Sequence, residues 1–327
     1  MDRSGALAAP LATLRTTVRR FAAAWLAPAE HWCVALSGGP DSLALTAVAA
    51  RLRPTTALIV DHRLQPGSAQ VAATARAQAL ALGCVDARVL TVTVGTGGGP
   101  EAAARRARYT ALQTARDGAP VLLGHTLDDQ AETVLLGLGR GSGPRSLAGM
   151  RPCDPPWHRP LLAVRRALTH AACAELGVAP WSDPHNTDRR FTRARLRAEV
   201  LPLLEEVLGG GVAEALARTA TALREDTAVL DALAEAARPA ADVDGGALAV
   251  AALAALAGPV RRRVIRRWLL DGGAGGPSDH QIRRIDALVT DWRGQGGVAI
   301  GSALTRRRLV AARRDALLVL RSEPVGR

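Results

Sequence analysis

An apolar run at residues 32–36 (WCVAL) ends in Ser37-Gly38-Gly39-Pro40-Asp41-Ser42, and an apolar-periodic segment follows over residues 43–52. Run length and period predict a buried strand, a glycine turn and a helix. Such a junction is an anion site. Gly38 and Gly39 let the backbone come close to a phosphate with successive N–H groups turned toward it. The helix start adds unpaired N–H groups and the positive end of a dipole. Ser37 and Ser42 add hydroxyl donors. Asp41 would repel a lone phosphate, so its position predicts a bridging divalent cation, magnesium first among them. The common phosphate loop GxxxxGK[ST] is excluded, because the chain contains no lysine.

Three further apolar runs, at residues 56–60, 87–94 and 120–123, alternate with helical patterns at 68–82 and 101–116. Strands and helices in this rhythm predict an α/β fold, a doubly wound parallel sheet with helices on both faces. Ligands of such sheets bind beyond the carboxyl ends of the strands. Ser37, Asp61 with His62, and His125 all fall at such ends. Before the first strand, Leu11, Leu14, Val18, Phe21 and Trp25 recur at helical spacing and predict an amphipathic helix rather than a transit peptide. Residues 95–100 and 140–160 are rich in Gly or Pro and read as loops, each a candidate lid. Helices are expected at 165–176 and 191–208. Gly209-Gly210-Gly211 then marks an expected boundary between domains 1–211 and 212–327. The second is a smaller helical, α+β domain: helices at 214–237, 250–270 and 279–292, the last capped by Ser278, then short strands at 298–300, 304–310 and 316–320.

The string Gly124-His125-Thr126-Leu127-Asp128-Asp129-Gln130-Ala131-Glu132-Thr133 carries a second signal. On a helix, His125, Asp128, Asp129 and Glu132 fall at i, i+3, i+4 and i+7 and share one face. Ala131, Val134, Leu135 and Leu138 form a separate apolar stripe. Three carboxylates together repel one another unless a cation joins them. Magnesium and a substrate ammonium are both candidates. The plain alternative is a solvated acidic helix start, which the helix dipole favours in any case.

A formal charge of +12, carried by arginine, points to a polyanionic partner, and nucleic acid is the usual one. A GC-rich genome would explain arginine in place of lysine, but not the excess of base. Arg105 and Arg108 sit at i, i+3 on one helix. Arg190, Arg193 and Arg197 form a stripe on another, and arginine forks suit phosphate. Arg261 to Arg263, Arg266, Arg267 and Arg306 to Arg308 extend the basic surface into the second domain. Few aromatics remain for base stacking. Trp181, beside Asp183, is the one to watch, although core packing is its plainer role. Cys33, Cys84, Cys153 and Cys173 are far apart with no CxxC pair, which argues against zinc and disulfides and fits a reducing cytoplasm. No apolar run reaches the roughly 18 residues of a membrane span.

The string SGGPDS resembles the SGGxDS signature of the PP-loop ATP pyrophosphatases. GHTLDDQAETVLLGLGRGSG resembles the GHxxDDQxETxLxxLxRGxG tract of one branch, the tRNA(Ile)-lysidine synthases. Asp61-His62-Arg63-Leu64 resembles that branch's DHxLR segment, with Gln65 where a basic residue is often found. Residues 101–109 resemble its ExxARxxRY helix, and Pro160-Leu161-Leu162 its RPLL turn. Asp183-Pro184-His185-Asn186 and residues 191–197 resemble its DxSN…YxRNxIR tract, with His185, Phe191 and Ala194 as departures. The resemblance spans residues 32–202 and is looser beyond.

The resemblance implies an ATP-dependent ligase that forms a carbon–nitrogen bond. ATP binds Ser37, Gly38, Gly39, Pro40, Asp41, Ser42, Asp61 and His62, with Mg2+ held partly by Asp41. The wobble cytidine of tRNA(Ile) with a CAU anticodon is adenylated, and free lysine displaces AMP to give lysidine. Asp129 and Glu132, with Asp128 nearby, would take the lysine. His125 or a carboxylate would take the amine proton, and Arg105, Arg108, Arg193 and Arg197 would face the tRNA. A homodimer is compatible with the family. Two rivals are a PP-loop tRNA thiolase, which would need cysteine pairs, and a non-catalytic RNA-binding protein on a nucleotide-binding fold.

Overall fold

The opening strand, turn and helix form as their sequence requires. In the computed structural model, which describes residues 9–27, 31–95, 99–141, 143–183, 188–301 and 307–324, β1 (Trp32–Ala35) is buried along its whole length. Its side chains alternate between two cores. Trp32, Val34 and Leu36 enter one with Leu14, Leu43 and Leu122, while Cys33 and Ala35 enter the other with Leu58, Leu112 and Leu123. Burial on both faces is the mark of a central parallel strand.

The chain continues through α2 (Pro40–Leu52), β2 (Thr55–Asp61), α3 (Ser68–Ala81), β3 (Asp86–Thr91), α4 (Pro100–Ala115) and β4 (Val121–Leu123). The sheet order is β3-β2-β1-β4, followed by β6 (Trp157–His158) and β5 (Cys153–Asp154). All pairings are parallel except that of β5 with β6. Strand order reverses between β1 and β4, and this switch point is where an open α/β sheet makes its ligand crevice. The helix α1 (Pro10–Trp25) covers one face through Leu14 and Val18.

The 140–160 stretch departs from its expected loop. It contains the short helix α6 (Pro144–Leu147) and the β5–β6 hairpin, and β6 widens the parallel sheet beside β4. Two-residue strands in a proline-rich tract leave no periodicity to read. After α5 (Leu127–Gly139) and α7 (Arg166–Glu175), the expected 191–208 helix divides. It comprises α8 (Thr192–Arg195), a π turn over Leu196–Val200 and α9 (Leu201–Val207). Pro202 offers no N–H to the turn before it, and the wider turn lies directly upstream.

The chain separates into two compact units, one of residues 1–136 with 149–218 and one of residues 137–148 with 219–327. The triple glycine 209–211 falls between α9 and α10 (Val212–Ala241). In the second unit the expected 250–270 helix is two, α11 (Val250–Ala254) and α12 (Gly258–Asp271). Pro259 sits in the first turn of α12, where its fixed φ starts a helix and its missing N–H is not needed. α13 (Asp279–Thr290) has the predicted Ser278 cap, completed as a capping box by Gln281. Five antiparallel strands form the unit's sheet, β7 (Asp242–Val243) and β8 (Ala247–Ala249) before α11, and β9 (Val298–Gly301), β10 (Arg307–Arg314) and β11 (Leu317–Pro324) after α13, in the order β7-β8-β11-β10-β9. β7 and β8 were not expected. Parts of the 95–100 loop, the Pro184-His185-Asn186 tract and residues 304–306 lie outside the described residues. Among those described, no helix is long and apolar enough to cross a membrane.

Candidate active site

The loop after β1 is braced by its own hydroxyls. Ser37 N donates to Ser42 Oγ at 3.2 Å, the two Oγ atoms lie 3.1 Å apart, and Ser42 Oγ donates to Gly39 O at 2.9 Å. Gly38 has φ +84°, a left-handed conformation that favours glycine, and Trp181 N donates to its carbonyl at 2.9 Å. Gly39 is the N-cap of α2 and Pro40 opens the helix, so Asp41 stands in the first turn. Gly124 after β4 packs against this turn. A Cβ there would lie 3.1 Å from backbone atoms of Asp41 and Ser42.

Beside the loop lies a cavity of about 600 Å³ at the carboxyl ends of β1 and β2. Ser37, Asp61, His62, Arg108 and Trp181 are among its lining residues, and most of the rest are apolar. Asp61 is buried, and its Oδ1 accepts from Arg63 N at 2.9 Å. The His62 imidazole is held below its ordinary pKa by burial and then by Arg108, and its Nδ1 is buried without a hydrogen bond. Arg108 itself is pushed down by burial and by neighbouring Arg105. Arg105 lies outside the cavity lining. Its guanidinium stacks 4.7 Å over the Tyr109 ring and donates to the Tyr109 hydroxyl.

The acidic tract supplies the second half. His125 precedes α5 rather than lying on it, so the expected four-residue helical face is reduced to Asp128, Asp129 and Glu132. Thr126 turns the chain into the helix. Its N and Oγ1 both donate to Asp129 Oδ2, at 2.7 and 2.9 Å. Ala131 and Val134 pack inward as expected, while Leu138 is exposed.

Two arginines fill the cation position that three carboxylates require. Arg166 Nη2 donates to Asp129 Oδ1 at 2.6 Å and to Glu132 Oε1 at 3.5 Å, and its Nε donates to Asp41 Oδ2 at 3.4 Å. Its backbone N donates to Asp128 Oδ2 at 2.7 Å. Arg197 Nε donates to Glu132 Oε1 at 2.9 Å, and its Nη2 to Asp129 Oδ1 at 3.4 Å. Thr169, one turn along α7, donates to Asp41 Oδ1. Arg193 reaches Thr133 Oγ1 at 3.3 Å and lies 3.7 Å from Glu132 Oε2. Arg193 and Arg197 therefore turn to carboxylates, while Arg190 pairs with Asp188. Arg165 joins Asp128 at 3.3 Å.

Glu132 is fully buried, and its Oε2 has no hydrogen-bond donor. Burial raises the Asp41 pKa and outweighs Thr169 and Arg166. At Asp129 burial pulls upward too, but Arg166 and the Thr126 donors prevail and the carboxyl lies below its ordinary value. Burial drives the His125 imidazole well down, with Arg108, Arg159 and Arg105 in the same sense and Asp129 opposing. His125 is thus neutral at neutral pH. Arg166 and Thr169 were not singled out from the sequence. Each is a common residue in an amphipathic helix, and only the sheet topology brings that helix to the loop.

Strand-order reversal, a glycine-turned phosphate loop and an adjoining cavity define a PP-loop nucleotide-binding enzyme fold. The family models agree: a PP-loop domain matches residues 11–204, and a TilS substrate binding domain matches residues 248–318. Among solved structures, the U34-tRNA thiolase NcsA from Methanococcus maripaludis shares the fold, with a TM-score of 0.53 at 17% identity over 66% of this chain and 80% of that one. Nearer relatives are curated tRNA(Ile)-lysidine synthases. That of Mycolicibacterium paratuberculosis is 73% identical over 99% of this chain and 100% of its own length. That of Mycobacterium tuberculosis is 70% identical over 99% and 100%, and that of Nocardia farcinica 62% over 95% and 98%. The chain belongs to the tRNA(Ile)-lysidine synthase family.

Proposed function

We propose that this protein joins free lysine to the wobble cytidine of tRNA(Ile) with a CAU anticodon, consuming ATP and releasing pyrophosphate and AMP. The observation that carries the reading is the meeting of a phosphate loop and a buried, arginine-clamped carboxylate cluster at one sheet edge, with Asp41 belonging to both. ATP is seated with its phosphates on the Ser37–Ser42 loop and its nucleoside in the adjoining cavity, whose mostly apolar walls and few polar groups suit a base and ribose. The cytidine, unstacked from its loop, presents its 2-carbonyl oxygen to the α-phosphate. Backbone N–H groups at the start of α2 stabilise charge building on the departing pyrophosphate. Lysine binds through its side-chain ammonium to Asp129 and Glu132, whose Oε2 accepts no hydrogen bond and has Arg193 at 3.7 Å. The attacking amine must lose its proton; burial leaves His125 a weak base, which favours a carboxylate of the cluster as the acceptor. The free amine then attacks the activated C2 carbon and AMP leaves.

Among the described residues, no three His, Cys, Asp or Glu side chains gather to hold a metal by themselves. Asp41 would hold a magnesium ion through Oδ2, where its contact with Arg166 is a long 3.4 Å, with substrate phosphates and water as the remaining ligands. When bound it supplies positive charge to the phosphates. The same reading places the enzyme in the cytoplasm, where tRNA is modified, and allows a homodimer. The thiolase alternative lacks support from the cysteines. Cys33, Cys84 and Cys173 are buried, and each lies on a different element or loop from Cys153. The test is to incubate the protein with ATP, magnesium, labelled lysine and an unmodified tRNA(Ile) CAU transcript, then measure label stably attached to tRNA. Labelling that disappears when the wobble cytidine is changed to uridine supports the reading. ATP cleavage to AMP without labelling would point to another nucleophile.

A further inference from the structure

Arg166 is shared between two groups of carboxylates that serve different substrates in the reading above. Its Nε faces Asp41 of the nucleotide loop, while its Nη2 faces Asp129 and Glu132. The side chain is largely buried, so water does little to screen these pairings. Its position is fixed from behind. The Arg166 backbone N is tied to Asp128, and Thr169 of the same helix holds the other oxygen of Asp41. Charge is already balanced: Arg166, Arg197 and Arg193 stand against Asp41, Asp129 and Glu132. An arriving ammonium therefore meets carboxylates that are occupied. Of the two guanidinium groups that donate to Glu132 Oε1, Arg166 stands off at 3.5 Å and Arg197 at 2.9 Å, so the Arg166 contact is the one that yields more readily.

We propose that Arg166 is a positioning residue that couples the two substrates, its guanidinium moving toward the nucleotide phosphates when ATP binds and so freeing Glu132 for the lysine ammonium. The inference rests on the lysine reading of the acidic cluster. A polyanion on the Ser37–Ser42 loop attracts the guanidinium at its Nε side. A guanidinium drawn that way withdraws from Glu132, whose second oxygen accepts no hydrogen bond. Nucleotide then tightens lysine, and by reciprocity lysine tightens nucleotide by the same factor. Arg197 stays on Glu132 Oε1 and keeps that carboxylate oriented.

Isothermal titration of the full chain with lysine, with and without a saturating α,β-methylene ATP analogue and magnesium, tests the coupling. Wild type is expected to bind lysine about fivefold or more tightly with the analogue, within the usual range of coupling between sites. Arg166→Gln is expected to lose that factor and to bind lysine without nucleotide about as tightly as wild type does with it. Arg166→Lys, which keeps the charge but cannot fork to both sides, covers the case of a Gln variant that does not fold, and should lose most of the factor. A full wild-type factor in either folded variant overturns the proposal, as does wild-type lysine binding that is indifferent to the analogue. A wild type that binds the analogue but never lysine removes the lysine reading itself, and that result is distinct from the other two.

Discussion

Asp41 was legible from the sequence as a polar residue at a phosphate loop, but not as a partner of α7. The Arg166 and Thr169 contacts that define its surroundings come from residues more than a hundred positions away. The hexapeptide showed what Asp41 is near in sequence, and the sheet topology decides what it touches. Asp41→Asn should cut ATP–pyrophosphate exchange by about 10²–10³, the scale of losing one preorganised electrostatic contact, while tRNA binding by filter assay stays nearly intact. Wild-type exchange would remove Asp41 from the site. Glu132→Gln should raise the KM for lysine by about tenfold or more, since hydrogen bonds to charged groups contribute about 1.5–3 kcal/mol. The KM for ATP should move less, and equal changes in both would argue for a metal role instead. His125 sets a pH dependence of stability. Its folded pKa lies below the ordinary 6.5, so the unfolded chain binds the proton first and stability declines as pH falls below that value. Urea midpoints measured from pH 7.5 down to 5 should fall less steeply in His125→Asn than in wild type. His62 and His158 are shifted in the same direction, so the comparison is of slopes between variants, and an unchanged slope would show that His125 contributes nothing.

At the scale of elements, apolar periodicity was enough for the long helices and the central strands. It failed where an element is too short to show a period, as in β5, β6, β7 and β8. It also failed where proline interrupts a continuous apolar pattern, as between α11 and α12 and at the π turn before Pro202. The acidic helix was half legible. Its carboxylates share a face as spaced, but the chain is still turning at His125, because Thr126 is bonded to Asp129 and starts α5 there. One glycine in that helix is fixed by packing alone. A Cβ on Gly137 would collide with the Ser146 carbonyl oxygen of α6. Gly137→Ala should therefore destabilise the protein although alanine is the better helix former. Overpacking typically costs about 1–3 kcal/mol, against a propensity gain of about 1 kcal/mol at most. Chemical denaturation would show a lower midpoint, and a raised one would mean that α6 gives way without cost.

For the whole molecule, the charge of +12 was the plainest signal in the sequence, and the structure divides it by use. Arg261 is buried against Asp286, and Arg263 is paired with Asp231, so neither is a free phosphate contact. Composition could not separate these arginines from the exposed ones. If about six phosphates are neutralised by the remainder, tRNA affinity should drop by about a thousandfold between 50 and 200 mM salt. A shallow slope in a filter-binding titration would show that the basic surface serves another purpose. The division into units carries a different consequence. Residues 137–148 belong to the second unit although the ribosome makes them before the whole of residues 149–218 of the first. During synthesis that short segment must wait, Gly137 and Ser146 already in hand, for the body into which it packs. A nascent chain halted after Arg218 would hold an orphaned loop, and a single protease cut cannot release either unit whole, because the chain passes between them three times.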